Sequence, residues 1–222
     1  MSRFASRQVK SPWSTSCIVP AMSVLSKRPA SGQTAAVNRD SILEATVQLL
    51  GRGVSYAEVS VAAIAAEASI SRPTFYAYFV DKRDLMLALG ARFERRTHVA
   101  ADAWLELRDD DLHSTLRGVL EAFRGDHSTL RAIVEASTYD PEVAVFWREF
   151  HARFIEAVVE RASELTPDRP AGAIRADAFA LVWMTQRSLA EHLDAPQVED
   201  EDILAALVRL WRSVLPEITA GA

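Results

Sequence analysis

Residues 60–82, SVAAIAAEASISRPTFYAYFVDK, constrain the fold more than any other stretch of this chain. Their apolar spacing leaves room for little besides two short crossed helices running into a third. Val61, Ile64, Ala65 and Ala68 fall at i, i+3, i+4 and i+7, one stripe on a helix of about two turns that starts at Ser60. A second helix starts at Ser71, which can cap it. Pro73 sits in the first turn, where a missing N–H costs nothing, and Phe75 and Phe79 at i, i+4 supply a buried face. Ala65 is small, which lets the two backbones approach at a steep crossing. The spacing predicts a helix-turn-helix.

With Phe75 and Phe79 turned inward, the other face of the second helix presents Arg72, Pro73, Thr74, Tyr76, Ala77 and Tyr78. A monomer gains nothing by baring these groups, whereas a DNA major groove offers them phosphates, base edges and thymine methyls. Arg72, Thr74 and Tyr78 are the expected base-edge contacts, and Ser60, Tyr76 and Lys82 the expected phosphate contacts, with Ser71, Pro73 and Ala77 on the same surface. Asp81 should cap the next helix with Asp84 at its third position, so that backbone N–H groups and Lys82 converge where a phosphate could sit.

The run ISRPTFYAYFVDKRDLMLAL, Ile70 to Leu89, resembles the recognition helix and following long helix of the tetracycline-repressor (TetR) family of bacterial regulators. The resemblance spans residues 38–96. The segment FWREFHARF, Phe146 to Phe154, together with chain length and helical spacing, is similar to the ethionamide-resistance regulator subgroup of that family. One position departs from the pattern. Ser69 stands in the turn where the family usually has Gly, and a left-handed Ser costs about 1 kcal/mol more than Gly.

Charge is distributed unevenly along the 222 residues. Residues 1–37 hold five basic groups and no acidic one, residues 38–96 hold eight basic and seven acidic, and the remainder holds twelve basic against twenty-three acidic. An acidic body repels phosphates and would orient the N-terminal face toward a duplex, although net charge of this kind also serves solubility. The single cysteine, Cys17, excludes a disulfide framework and a cysteine zinc site, and fits a reducing cytoplasm. No apolar run reaches the roughly 20 residues of a membrane span, so no membrane partner is expected.

Residues 1–37 show no periodicity and are expected to be a disordered basic segment, with Met22 an alternative start and residues 1–21 dispensable. The apolar stretch from Cys17 to Leu25 is too short and too interrupted, by Pro20 and Ser23, for a secretory signal. Residues 38–81 then form the DNA-binding domain, with Asn38 capping its first helix and Gly51 and Gly53 ending it. Residues 82–222 form the second domain, entered by a long helix over 82–107. Further helices are expected over 112–123, 128–139, 141–165, 174–193 and 200–215. Asp109, Asp110 and Asp111 read as a solvated turn and cap rather than a metal site. The class is all-α.

Nothing in the sequence marks catalysis. The five histidines, at 98, 113, 127, 151 and 192, form no i, i+4 pair, and no phosphate loop, nucleophile elbow or Cys/His pair is present. No cofactor and no metal are expected. Large aromatics do recur: Phe146, Trp147, Phe150 and Phe154 on one helix, Phe179 and Trp183 beside Gln186 on the next, with Trp104 and Phe123 able to face the same interior. Such a band is either ordinary core or the lining of a small-molecule pocket. The family resemblance implies an effector site among these helices, and a homodimer joined by a four-helix bundle of the last two. Leu189, Leu193, Ile203, Leu207, Leu210, Trp211 and Val214 are the interface candidates, Leu207 and Trp211 at its centre, with packing into their own subunit as the alternative. The expectation is a repressor of a palindromic operator, released by an apolar effector. An activator, a ligand-independent regulator, an enzyme and a protein-binding helix-turn-helix are the alternatives.

Overall fold

A computed structural model describes residues 32–105 and 111–216. Nine helices make up this part of the chain: α1 (Gly32–Gly51), α2 (Val61–Glu67), α3 (Arg72–Tyr78), α4 (Lys82–Leu105), α5 (Leu112–Gly125), α6 (His127–Ala136), α7 (Pro141–Leu165), α8 (Ala171–Asp194) and α9 (Asp200–Val214). No strand occurs among the described residues. The expected all-α architecture is what the structure shows.

Most boundaries follow local chemistry. Ser60 and Ser71 cap α2 and α3 by accepting from Ala63 N–H and Thr74 N–H. Asp111 accepts from the N–H groups of His113 and Ser114 to open α5. Asp140 does the same for Glu142 and Val143 at α7, with Pro141 in the first turn. Three boundaries differ from expectation by about a turn or more. α1 begins at Gly32, which puts Asn38 inside the helix instead of at its cap, α6 ends at Ala136 instead of Tyr139, and α8 begins at Ala171 behind Pro170, a turn before Ile174. Pro170, before α8, supplies no capping side chain that the sequence could mark. Residues 1–31, with Cys17 and Met22, and Asp109 and Asp110 lie outside the described residues.

One apolar core runs from Ile42 on α1 to Leu215 beyond α9, and it is continuous across the expected boundary at 81/82. α4 carries it: Leu85, Met86 and Leu89 near its start and Phe93, Ala101 and Trp104 farther along are all buried. Gly90 permits a close approach of the Phe146 side chain of α7 to α4. A Cβ there would lie 2.6 Å from the Phe146 ring. α4 is thus packed against the body while its first turn reaches the helix-turn-helix.

Candidate functional site

The turn between α2 and α3 shows why this short motif holds its shape. Ile70 N–H donates to Ala65 O at 2.9 Å and Ser69 N–H to Ala66 O at 3.1 Å, the paired bonds of a Schellman ending. Ser69 adopts the left-handed conformation at φ 55°, as the family comparison of that turn led one to expect. Ala65 is buried at the crossing, and Phe75 and Phe79 are fully buried. Arg72, Pro73, Tyr76 and Ala77 are exposed on the opposite face of α3, beside the exposed caps Ser60 and Ser71. Thr74 is half-buried, with its hydroxyl 2.8 Å from that of Ser71. Tyr78 is half-buried and packs on the core, so it is less available than the helical wheel suggests. Exposed Arg39 of α1 lies over the Phe79 ring at 5.0 Å, adding a cation beside α3 that periodicity within residues 60–82 could not reveal.

Lys82 departs from expectation. Its ammonium donates to three main-chain carbonyls, Tyr56 O at 2.7 Å, Val59 O at 3.1 Å and Ala57 O at 3.2 Å, and lies 4.4 Å from the Tyr56 ring centroid. An ammonium has three protons, so this set uses its full donor capacity. Desolvation lowers its pKa, opposed by the nearby Glu135 carboxylate. The phosphate role assigned to the Lys82 side chain is therefore corrected: it braces the loop that precedes α2. Asp81 does cap α4, accepting from Asp84 N–H at 2.8 Å, while Asp84 reaches back to Val80 N–H at 3.0 Å.

A second feature lies inside the body, an apolar cavity of about 80 Å³. α4 contributes Thr97, Ala101 and Trp104 to its wall, and α5 contributes Leu112, Thr115, Leu116, Val119 and Phe123. Phe150, His151, Phe154 and Val158 of α7 face it, as do Val182, Thr185 and Gln186 of α8 and Trp211 of α9. Of the expected lining, Trp104, Phe123, Phe150, Phe154 and Gln186 are in place. The other four are not. Phe146 fills the space over Gly90, Trp147 stacks on the far side of Phe150 with ring centroids 5.0 Å apart, and Phe179 is 56% exposed. Trp183 lies behind the wall, stacked on His151 at 3.6 Å. These four share a helical band with lining residues, but helix rotation within the bundle turns them to neighbouring helices or to solvent.

His151 is the buried polar group that sequence reading passed over. Nδ1–H donates to Trp147 O at 2.7 Å, and the Gln186 side chain lies near the ring. Burial pushes its pKa down to about 4, so it is neutral at physiological pH. Arg161 is also buried. Its guanidinium stacks on the Trp104 ring at 4.4 Å and donates to Trp104 O, which fixes that wall of the cavity.

Comparison with known proteins now bears on these two features together. Residues 42–89 match the family described as bacterial regulatory proteins, tetR family, and residues 112–215 match the C-terminal domain of the transcriptional regulator EthR. The chain is 31% identical over 186 residues to the HTH-type transcriptional regulator EthR of Mycolicibacterium smegmatis, covering 78% of this chain and 84% of that one. It belongs to the TetR family. EthR of Mycobacterium tuberculosis is 28% identical over 187 residues, at 78% and 85% coverage. A TetR-like regulator from Rhodococcus superposes with a TM-score of 0.59 at 25% identity over 84% of this chain and 98% of that one. A TetR-family regulator from Syntrophomonas wolfei shares the fold, with a TM-score of 0.65 at 19% identity over 81% and 96%. The chain is a DNA-binding transcriptional regulator and not an enzyme. None of its described helices is long and apolar enough to cross a membrane.

In this TetR-family chain the last two helices divide their apolar residues between two directions. Leu189, Leu207 and Trp211, expected at a dimer interface, are buried within their own subunit, and Trp211 Nε1–H donates to Thr185 Oγ1 at 2.9 Å with its ring edge-on to Trp104. That corrects their assignment, because a side chain already covered by its own subunit has no surface left to offer a second copy. Leu193, Ile203 and Val214 are half-buried and Leu210 is 46% exposed. Phe179 and Trp183 of α8 join them on the outer faces at i, i+4 spacing. The spacing was visible in the sequence. Which side of each helix faces inward was not.

Proposed function

We propose that this regulator is a homodimeric repressor that inserts α3 into successive major grooves of a palindromic operator and is released by a small, largely apolar molecule bound in the α4–α9 cavity. The observation that carries it is the span of α4. Its first turn braces the helix-turn-helix while Thr97, Ala101 and Trp104 line the cavity. Both sites thus act on one rigid element, and a ligand that fits only one placement of α4 shifts the DNA-binding population. Arg72 and Tyr76, with Ser60, Ser71, Pro73, Thr74 and Ala77, form the DNA-facing surface. Phe179, Trp183, Ile203, Leu210 and Val214 form the dimer-facing one.

Cavity volume sharpens the proposal. An engineered cavity near 150 Å³ accepts benzene, so about 80 Å³ holds no drug-sized effector without movement of the wall. Ligand entry then requires α4 or its neighbours to shift, which is what release demands. The same small volume also favours a second reading, regulation with no small ligand. Selection of fragments from a random DNA library tests the first part, with recovery of a palindrome expected. Calorimetry with a panel of apolar compounds decides between the two readings of the cavity: a binder must raise Tm and weaken operator affinity by one reciprocal factor.

A further inference from the structure

The loop over residues 55–59, between α1 and α2, is gripped from both sides by the body of the protein. Tyr56 N–H and Ala57 N–H donate to the two carboxylate oxygens of Glu135 on α6, each at 3.0 Å. The carbonyls of the same two residues accept from the Lys82 ammonium at the start of α4, at 2.7 and 3.2 Å, and Val59 O accepts from it at 3.1 Å. Tyr56 O–H closes the circuit by donating to Lys82 O at 2.5 Å. An acidic group thus takes the loop's donors and a basic group its acceptors. Beside this point Arg83 donates to Asp140 and Glu142 at 2.8 and 2.6 Å, fastening the same turn of α4 to the α6–α7 corner.

The loop ends at Val59, directly before Ser60, the cap of α2. Inside the helix-turn-helix the hydrogen bonds are local: the two Ser caps and the Schellman turn all close within residues 60–74. That motif keeps its own shape without Glu135 or Lys82. What these two residues add is a fixed attachment of the motif to α4 and α6, made of charge-assisted bonds that are stronger than neutral ones.

We infer that Glu135 and Lys82 are positioning residues that set the orientation of the helix-turn-helix on the body, and hence the separation of the two recognition helices in a dimer, without touching DNA. This rests on the proposed binding of one dimer to one palindrome. Reading two half-sites at once raises affinity only if geometry lets both engage together. Loosening the attachment leaves each half-site contact intact and lowers the chance that both fit. The cost therefore falls on the full palindrome and spares a single half-site.

The test uses the full-length protein and two DNA probes: the palindrome recovered by library selection and a fragment carrying one half of it. Glu135→Gln puts an amide N–H₂ against a backbone N–H, and Lys82→Met removes the ammonium while keeping the stem. Each is expected to weaken binding to the palindrome roughly tenfold, the scale of a modest coupling between sites, to change half-site binding by less than about twofold, and to leave the salt dependence of half-site binding as in the wild type. Arg72→Ala, on the DNA-facing surface, should weaken both probes. Circular dichroism confirms folding. Where Lys82→Met melts too low to assay, Glu135→Gln carries the same test from a half-buried position on the other side of the loop. Equal weakening of both probes with a shallower salt dependence in Lys82→Met would overturn the inference and return Lys82 to a phosphate. Unchanged binding of both probes in Glu135→Gln would overturn it as well. Failure to recover any palindrome would remove the reading beneath it, an outcome distinct from these two.

Discussion

The α2–α3 motif and the α7–α8 wall are both helical pairs rich in aromatics, yet they are organised on different scales. In α2–α3 each stabilising element is a near neighbour in the chain: a Ser cap three residues from its N–H, Phe75 and Phe79 one turn apart, a turn closed by bonds from Ser69 and Ile70 back to Ala66 and Ala65. In α7–α8 the determining partners are distant. Phe146 meets Gly90, His151 stacks on Trp183, and Trp211 of α9 closes the wall by bonding Thr185. A local motif presents the same face wherever it is attached, whereas a wall built from five helices depends on how all of them are rotated.

The strongest test of this contrast truncates one large side chain in each region. Phe75→Ala and Trp211→Ala should each cost about 3–5 kcal/mol. Denaturant titration measures the loss. Their functional effects should separate. At protein concentrations where both remain folded, Phe75→Ala should lose DNA binding, while Trp211→Ala should keep its dimer and its DNA contacts and enlarge the cavity. Sedimentation showing monomers of Trp211→Ala would return that residue to the interface.

Solution pH should report the buried wall next. His151 is neutral when folded, with a pKa near 4 against 6.5 for the free side chain, so the unfolded chain binds an extra proton between these values. Stability is then lost as pH falls from about 6.5 toward 4, by an amount on the order of 3 kcal/mol for this one group, and is flat above that window. His98, also held near 4 by burial, adds to the same slope. His151→Asn should flatten the fall in Tm between pH 7 and pH 5. An unchanged slope would show that His151 is open to water.

Arg72→Ala probes the surface itself and should cost about 1–3 kcal/mol against the preferred base at one symmetric position of the operator, with little change in Tm. Competition assays across single-base variants measure it. The smallest expected effect is a gain. Ser69→Gly relieves the left-handed Ser at φ 55° and, after the added unfolded-state entropy, should raise stability by less than about 1 kcal/mol. A loss on thermal denaturation would mean that the Ser hydroxyl contributes more to the turn than its backbone costs.

Reading the chain alone determined the all-α class, the caps at Ser60, Ser71, Asp81, Asp111 and Asp140, the inward Phe75 and Phe79, and the exposed Arg72 and Tyr76. These are short-range consequences of residue type and helical period, complete within a few turns. Tertiary structure alone decided that Trp211 and Leu207 face inward and Phe179 outward, that His151 lines a cavity, and that Lys82 serves three carbonyls instead of a phosphate. A wide apolar band covers more of a helix than one neighbour can bury. Its rotation is therefore set by which of several packings leaves the fewest voids and unpaired polar groups, a sum over helices far apart in sequence.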